Sequence, residues 1–263
     1  MPLATINAVW IGPKLGPVHA ACLRSFLRHG HRTILHVYEQ PLDAPRGIEL
    51  SDANDLLPAS RIIRYSEGGS PSIFSNLLRY EILRKGLGLY VDCDVFCLRP
   101  LDDAEYIFGF EFTDQIGTAV LKLPLNCPVL DSLCAIKDAR PWMPPWSSRK
   151  RQMYYRWRAR LGMPVKIQDM RWSSTGPRAL TWYLKQHGLD RHASKIDVFY
   201  PVHYDQITLF LDADLRMEDI TTPRTRLLHL WNDKLKSLDL SQIAPSSPLG
   251  RMLMPVGCAH AAV

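Results

Sequence analysis

Residues 75–96 constrain this chain more than any other stretch, because they read as a helix, a glycine turn, a strand and a pair of aspartates in immediate succession. Ser75 suits an N-cap, Leu78 and Ile82 stand four apart on one helical face, and Gly86 and Gly88 break the helix. Along residues 89–96, Leu89, Val91, Cys93 and Val95 point one way, and Tyr90, Asp92, Asp94 and Phe96 the other. Two carboxylates therefore share a strand face. Ionised carboxylates about 6–7 Å apart along a strand repel, and a hard divalent cation with oxygen ligands relieves the repulsion. The pair points to Mg²⁺ or Mn²⁺, which with open coordination positions acts as a Lewis acid towards a phosphate or diphosphate oxygen. A second copy, Asp212-Ala213-Asp214, follows the apolar run 207–211 without comparable surroundings and reads as a solvated turn.

The flanking residues extend the same alternation. Residues 5–11 form a short apolar strand ending in a Trp10-Ile11-Gly12-Pro13 turn. Residues 18–29 repeat apolar positions at helical spacing, Cys22 with Phe26 and Leu23 with Leu27, and stop at Gly30. Residues 33–38 read as a second strand, 53–57 as a short helical piece and 61–65 as a third strand. After the acid pair, 106–111 and 118–123 read as strands, and Asn126-Cys127-Pro128 opens a helix to 136. Gly176-Pro177 opens another that ends at His187-Gly188, and 198–202 reads as a late strand. This order predicts an α/β fold with a mostly parallel sheet covered on both faces and ligand-binding loops at the carboxyl ends of strands. Trp10, Asp92 and Asp94 fall at such ends.

A chain of 263 residues, 46% hydrophobic and 22% charged, is long enough to bury a sizeable core, and one domain over 1–263 is expected. There is no basic leader ahead of a long apolar segment, and no apolar run approaches the ~20 residues of a membrane span. The expected location is the cytoplasm, with peripheral contact on the inner face of a membrane left open. Six cysteines without a Cys-x-x-Cys pair read as buried free thiols rather than a zinc site or disulfide framework. A net charge of +6 and a pI near 9.0 favour anionic partners: nucleotide sugars, acidic glycans, a membrane surface or nucleic acid. Much of that charge lies in a basic, aromatic insertion at 139–172. There Trp142 and Trp146 lead into Arg149-Lys150-Arg151, then Tyr154, Tyr155, Arg156, Trp157, Arg158 and Arg160 with no acid among them. It reads as a solvated helix face, as a lid or acceptor-binding element, or as a membrane contact through anionic lipid and interfacial aromatics. The Pro- and Ala-rich tail, 242–263, is expected to fray.

The helix from Ser75 through Arg79-Tyr80, the glycine turn and Tyr90-Val91-Asp92-Cys93-Asp94 together resemble the glycosyltransferase family with a DXD-containing sugar-binding region. That family includes polysaccharide-building bacterial enzymes, yeast initiating mannosyltransferases and large glucosylating toxins. Ala8-Val9-Trp10-Ile11-Gly12 resembles its opening strand, Thr175-Gly176-Pro177 its later turn and His229-Leu230-Trp231-Asn232 its C-terminal signature. The resemblance implies a GT-A-like, Rossmann-related mixed sheet flanked by helices, and transfer of a sugar from a UDP- or GDP-sugar to a glycan or lipid-linked acceptor in polysaccharide biosynthesis, with retention of anomeric configuration.

By the same resemblance Asp94 binds Mn²⁺ or Mg²⁺ directly, Asp92 contacts the donor and metal-bound water, and His229 is a further metal or phosphate ligand. Read alone, a histidine between Leu228 and Leu230 is more often a core residue. Trp10 matches a base-stacking position, beside Ile11. Ser75, Asn76 and Arg79 line the donor side, with Asn76 and Arg79 on the sugar hydroxyls. Tyr90 walls the pocket, and Trp231 and Asn232 close over the diphosphate. Catalysis is expected from Asp92, Asp94, Arg79 and Asn76. Two positions depart from the pattern: Asn76 stands where many members carry Asp, and Leu87 where a glycine pair is usual.

Retention needs no strong base, since the departing phosphate oxygen can take the acceptor proton. Inversion needs a carboxylate base, for which Glu111 and Asp114 are candidates. Two other functions compete. A haloacid-dehalogenase-like phosphatase would use Asp92 as nucleophile beside Asp94, although roughly ninety residues precede the motif here where that family has few. A nucleic-acid-binding module would centre on Arg149 to Arg160; nucleic acid is not the expected partner.

Overall fold

The computed structural model describes residues 2–137, 141–236, 239 and 242–254. β1 (Ile6–Trp10) leads into α1 (Pro17–Arg28), which returns the chain to β2 (Thr33–Val37), parallel to β1 from Ile6 opposite Thr33 to Trp10 opposite Val37. β3 (Glu49–Asp52) adds a parallel outer strand. α2 (Ser72–Arg84) then delivers β4 (Leu89–Val91) to the other side of β1, again parallel. β5 (Val95–Cys97) leaves this sheet, and β6 (Val120–Leu121) completes the order β3-β2-β1-β4-β6 as an antiparallel edge. α3 (Pro128–Ala135), α4 (Arg149–Arg160), α5 (Pro177–Gln186) and α6 (Ile196–Phe199) precede β7 (Leu227–His229), which pairs antiparallel with β5, His229 opposite Val95. α7 (Asn232–Leu235) and α8 (Pro248–Leu253) follow. The architecture is a mixed α/β sheet flanked by helices, parallel from β3 to β4 as the alternation predicts and closed by the antiparallel β6.

Strand alternation decides which layer each residue enters. Val9 and Tyr90 join one core with Leu78 and Ile82 of α2, Leu130 of α3 and Leu180 of α5. Ile6, Ala8, Leu89 and Val91 join the opposite core with Leu23 and Phe26 of α1. Cys93 and Val95 enter that second core too, so the four apolar residues expected on one side do share it. A third cluster forms where Val18 and Cys22 of α1 meet Phe96, Leu228 and, from α8, Leu249 and Met252. The five described cysteines are buried free thiols, and Cys258 lies outside the described residues. Among the described residues no helix is long and apolar enough to cross a membrane.

Several expected elements differ. The strand expected over 89–96 is interrupted: Val95 N–H donates to the Asp92 carbonyl at 3.1 Å, a turn that hands the chain from one sheet to the other. α2 begins at Ser72, so Ser75 lies within the helix and its hydroxyl donates to the Pro71 carbonyl at 3.5 Å instead of capping. Residues 61–65 form no strand; Ile62 and Ile63 follow a short 3₁₀ turn and pack part-buried on the α2-side core. The outer strand position is taken by β3, whose polar, mostly exposed residues carry no apolar signal. Residues 198–202 are not a strand either, because α6 runs through Phe199 and Pro201 follows. Of the strands expected at 106–111 and 118–123, only β6 forms within the second; Ile107 meets Lys122 through an isolated bridge, and Phe110 bridges Ile116 just before that range. In the tail, 242–254 is packed through α8; 255–263 lies outside the described residues.

Candidate functional site

The glycine turn sets how α2 meets β4. Gly86 (φ 66°) and Gly88 (φ 125°) both adopt left-handed backbone, and a Cβ on Gly88 would sit 2.5 Å from the Thr5 carbonyl oxygen. Leu89 N–H donates to that same carbonyl at 2.9 Å, so the turn lies flush against β1. The Leu87 carbonyl between the glycines accepts from Asn7 Nδ2 at 2.9 Å.

With that geometry fixed, Asn76 and Arg79 reach the carboxyl end of β4 together, three residues apart on α2. Arg79 is 3% exposed. Its Nη1 donates to Asn76 Oδ1 and its Nη2 to Asp92 Oδ1, both at 2.6 Å. The Tyr90 hydroxyl donates to the same Asp92 oxygen at 2.7 Å, and its ring centroid lies 4.5 Å from the Arg79 Cζ. Asn76 donates in turn to Thr175 Oγ1 at 3.1 Å, and Tyr80 to the Thr175 carbonyl at 2.7 Å, which ties the turn before α5 to α2. Burial alone lowers the Arg79 pKa. The charge of Asp92 and then Tyr90 outweigh it and raise the pKa, so the guanidinium stays charged.

The other half of the site hangs on the β5–β7 pair. His229, the last residue of β7, places Nε2 3.4 Å from Asp94 Oδ1. Leu230 N–H donates to the Asp94 carbonyl at 2.9 Å. Trp231 then adopts left-handed backbone (φ 53°, ψ 50°), which costs a non-glycine residue about 1–2 kcal/mol. The kink aims Asn232 N–H at Asp94 Oδ2, 2.9 Å away. It is held by the indole Nε1, which donates to the Val202 carbonyl at 2.9 Å, and by packing on His229 with ring centroids 4.2 Å apart. Burial pushes the Asp94 pKa up. The charge of His229 and the Asn232 N–H overcome that and hold it below the ordinary carboxylate range. His229 is raised by Asp94, and further by Asp92 and Glu111, against its own burial.

Asp92, Asp94 and His229 each offer one ligating atom, and these atoms lie within 4.8 Å of one another. Two carboxylates with one imidazole make a charged, oxygen-rich donor set that fits Mn²⁺ or Mg²⁺. Among the described residues the buried His229 Nδ1 has no hydrogen-bond partner.

Trp10 ends β1 with its ring 4.5 Å from that of His19, and its buried Nε1 has no hydrogen-bond partner among the described residues. Ile11 packs part-buried on the α2-side core, and the Ser75 hydroxyl donates to the Pro71 carbonyl. Of the two candidate bases, Glu111 is 6% exposed and within electrostatic reach of His229, Asp92 and Arg79, while Asp114 is exposed. Burial raises the Glu111 pKa, with Gln115 donating to Oε1 at 2.6 Å. Asp212 and Asp214 lie on an exposed turn closed by Asp214 N–H on Asp212 Oδ1 at 2.9 Å. Sequence reasoning missed Tyr200, whose ring stands edge-on to His229 at 5.6 Å, and His19; both sit in segments whose apolar pattern hid them.

No family model and no curated protein matches this chain. Among solved structures it is similar to a PaToxG glycosyltransferase over 73% of each chain, at 14% identity and a TM-score of 0.45.

Proposed function

We propose that the protein is a metal-dependent glycosyltransferase that moves a sugar from a nucleotide diphosphate sugar to a glycan or lipid-linked acceptor, in polysaccharide biosynthesis. The observation that carries the reading is the convergence of Asp92, Asp94 and His229 beside a buried, charged arginine that already fixes one of the carboxylates. Held by these three residues, Mn²⁺ or Mg²⁺ would neutralise the charge that develops on the leaving diphosphate. The chain's own groups do the positioning. Arg79 and Tyr90 hold Asp92 Oδ1, which leaves Oδ2 to face a ligand. Asn232 N–H and His229 orient Asp94 from the other side. Asn76 and Arg79 meet the donor sugar hydroxyls, Trp10 carries the base, and Trp231 and Asn232 close on the diphosphate.

Retention of configuration is part of this proposal, with the departing phosphate oxygen taking the acceptor proton on the same face.

The test is turnover and binding of UDP- and GDP-sugars with Mn²⁺, Mg²⁺ or chelator. Wild type should turn over one donor only with metal, and Asp94→Asn should lose on the order of 100-fold. If no donor binds under any metal condition, the reading is wrong. The anomeric proton coupling of the product, followed by NMR, tests retention.

A further inference from the structure

We propose that α4 docks this protein on an anionic phospholipid membrane, lying in the plane of the interface. On the outward side of α4, Met153, Trp157 and Leu161 recur every four residues, with Tyr154 beside them. They are 67%, 57%, 51% and 47% exposed in that order. The helix is anchored from behind by Tyr155, only 7% exposed, and from its start by Trp146, which packs on Trp182 and Tyr183 of α5. The apolar stripe is thus turned to solvent by the fold itself.

Cations border the stripe on both sides. Arg149, Arg156 and Arg160 follow one edge at helical spacing, and Arg151 and Arg158 the other. No acidic residue occurs anywhere in 141–168. Beside the helix a cavity of about 730 Å³ opens between Arg151, Tyr154 and Arg158 on one wall and Lys166 and Arg171 on the other, wide enough for lipid phosphates. Its single acid, Asp169, is engaged by the Ser66 hydroxyl.

A helix face that only meets water mixes both signs of charge and gains nothing from exposed Trp, Met and Leu. Large apolar side chains flanked by unopposed arginine instead match the boundary between acyl chains and anionic headgroups. Nucleic acid would also take the positive charge, but its bases stack on aromatic faces and have no use for the aliphatic Met153 and Leu161.

The experiment is co-sedimentation of the full chain with vesicles of phosphatidylcholine, with and without phosphatidylserine, at low and high salt. Two variants accompany it: Met153→Ser/Trp157→Ser, which removes the stripe, and Arg156→Glu/Arg160→Glu, which reverses one border. Unchanged circular dichroism and melting temperature establish that both are folded. Wild type should sediment with the phosphatidylserine vesicles alone, less at high salt, and each variant should lose on the order of tenfold in affinity. The proposal is overturned if wild type shows no preference for phosphatidylserine, or if the stripe variant binds as tightly as wild type. It is also overturned if a single-stranded oligonucleotide binds wild type as tightly as the vesicles do and the stripe variant keeps that binding.

Discussion

At the scale of single residues, the site rests on Arg79, whose two donors bridge Asn76 on its own helix and Asp92 beyond β4. Arg79→Met leaves Asp92 with the Tyr90 hydroxyl alone and Asn76 Oδ1 without its donor, and should lower unfolding stability by about 2–3 kcal/mol. Arg79→Lys should lose less but still measurably, because an ammonium cannot span both acceptors. Urea denaturation reads both, and an unchanged midpoint for Arg79→Met would show that the fork carries no structural weight. A second residue gives a pH dependence away from the site. His36 on β2 is 2% exposed, its Nε2 3.0 Å from Asn7 Oδ1, and burial lowers its pKa from 6.5 to about 4. The native state keeps it neutral. Above pH 6.5 its contribution is therefore complete; as pH falls towards 4 the unfolded chain binds a proton that the native chain refuses. Stability should drop through that window by up to about 3 kcal/mol, and His36→Gln should flatten the slope in urea titrations at stepped pH.

At the scale of elements, the two glycines after α2 should respond unequally to alanine. Gly86→Ala meets the movable side chain of Leu125 at 3.3 Å and left-handed backbone, a cost of about 1–2 kcal/mol. Gly88→Ala drives a methyl to 2.5 Å from a main-chain oxygen of β1, so β1 and β4 must part. It should cost several times more, or prevent folding, and thermal melts of the pair will show the order. The break after α2 was legible in the sequence; which glycine is intolerant was not, since that depends on Thr5 of a distant strand. The acid pair was legible for the same kind of reason. Leu89, Val91, Cys93 and Val95 sort to one core whether or not the strand is continuous, so the alternation survives the turn at Asp92. The strands expected at 61–65 and 198–202 show the limit of the method. A short apolar run gives no period long enough to separate a strand from a turn or a half-buried loop, and β3, polar and at the sheet edge, gives no run at all. The kink at Trp231 is illegible for a different reason: it is a backbone angle that presents a neighbour's N–H, and the Val202 carbonyl that holds the indole comes from another part of the chain.

At the scale of the whole molecule, two of the three cores share α1, which sends Leu23 and Phe26 to one and Val18 and Cys22 to the other. The latter is closed by α8, so a chain ending at residue 246 loses Leu249 and Met252 from it. About 1.5–3 kcal/mol attaches to each such side chain, and the melting temperature should fall by at least several degrees. A truncation that melts like the full chain would mean that α8 adds nothing to that core. The pairing of β5 with β7 has a consequence in time as well as in space. Val95 and His229 face each other across the ladder although most of the chain separates them in sequence. During synthesis, both aspartates emerge from the ribosome long before the histidine and the kinked tryptophan that complete their surroundings. A nascent chain therefore carries an unfinished acidic pair and gains the histidine beside it only after residue 229 is free to fold back. If the proposed metal site forms, metal uptake would mark a chain whose two distant halves have found each other and would serve as a readout of completed folding.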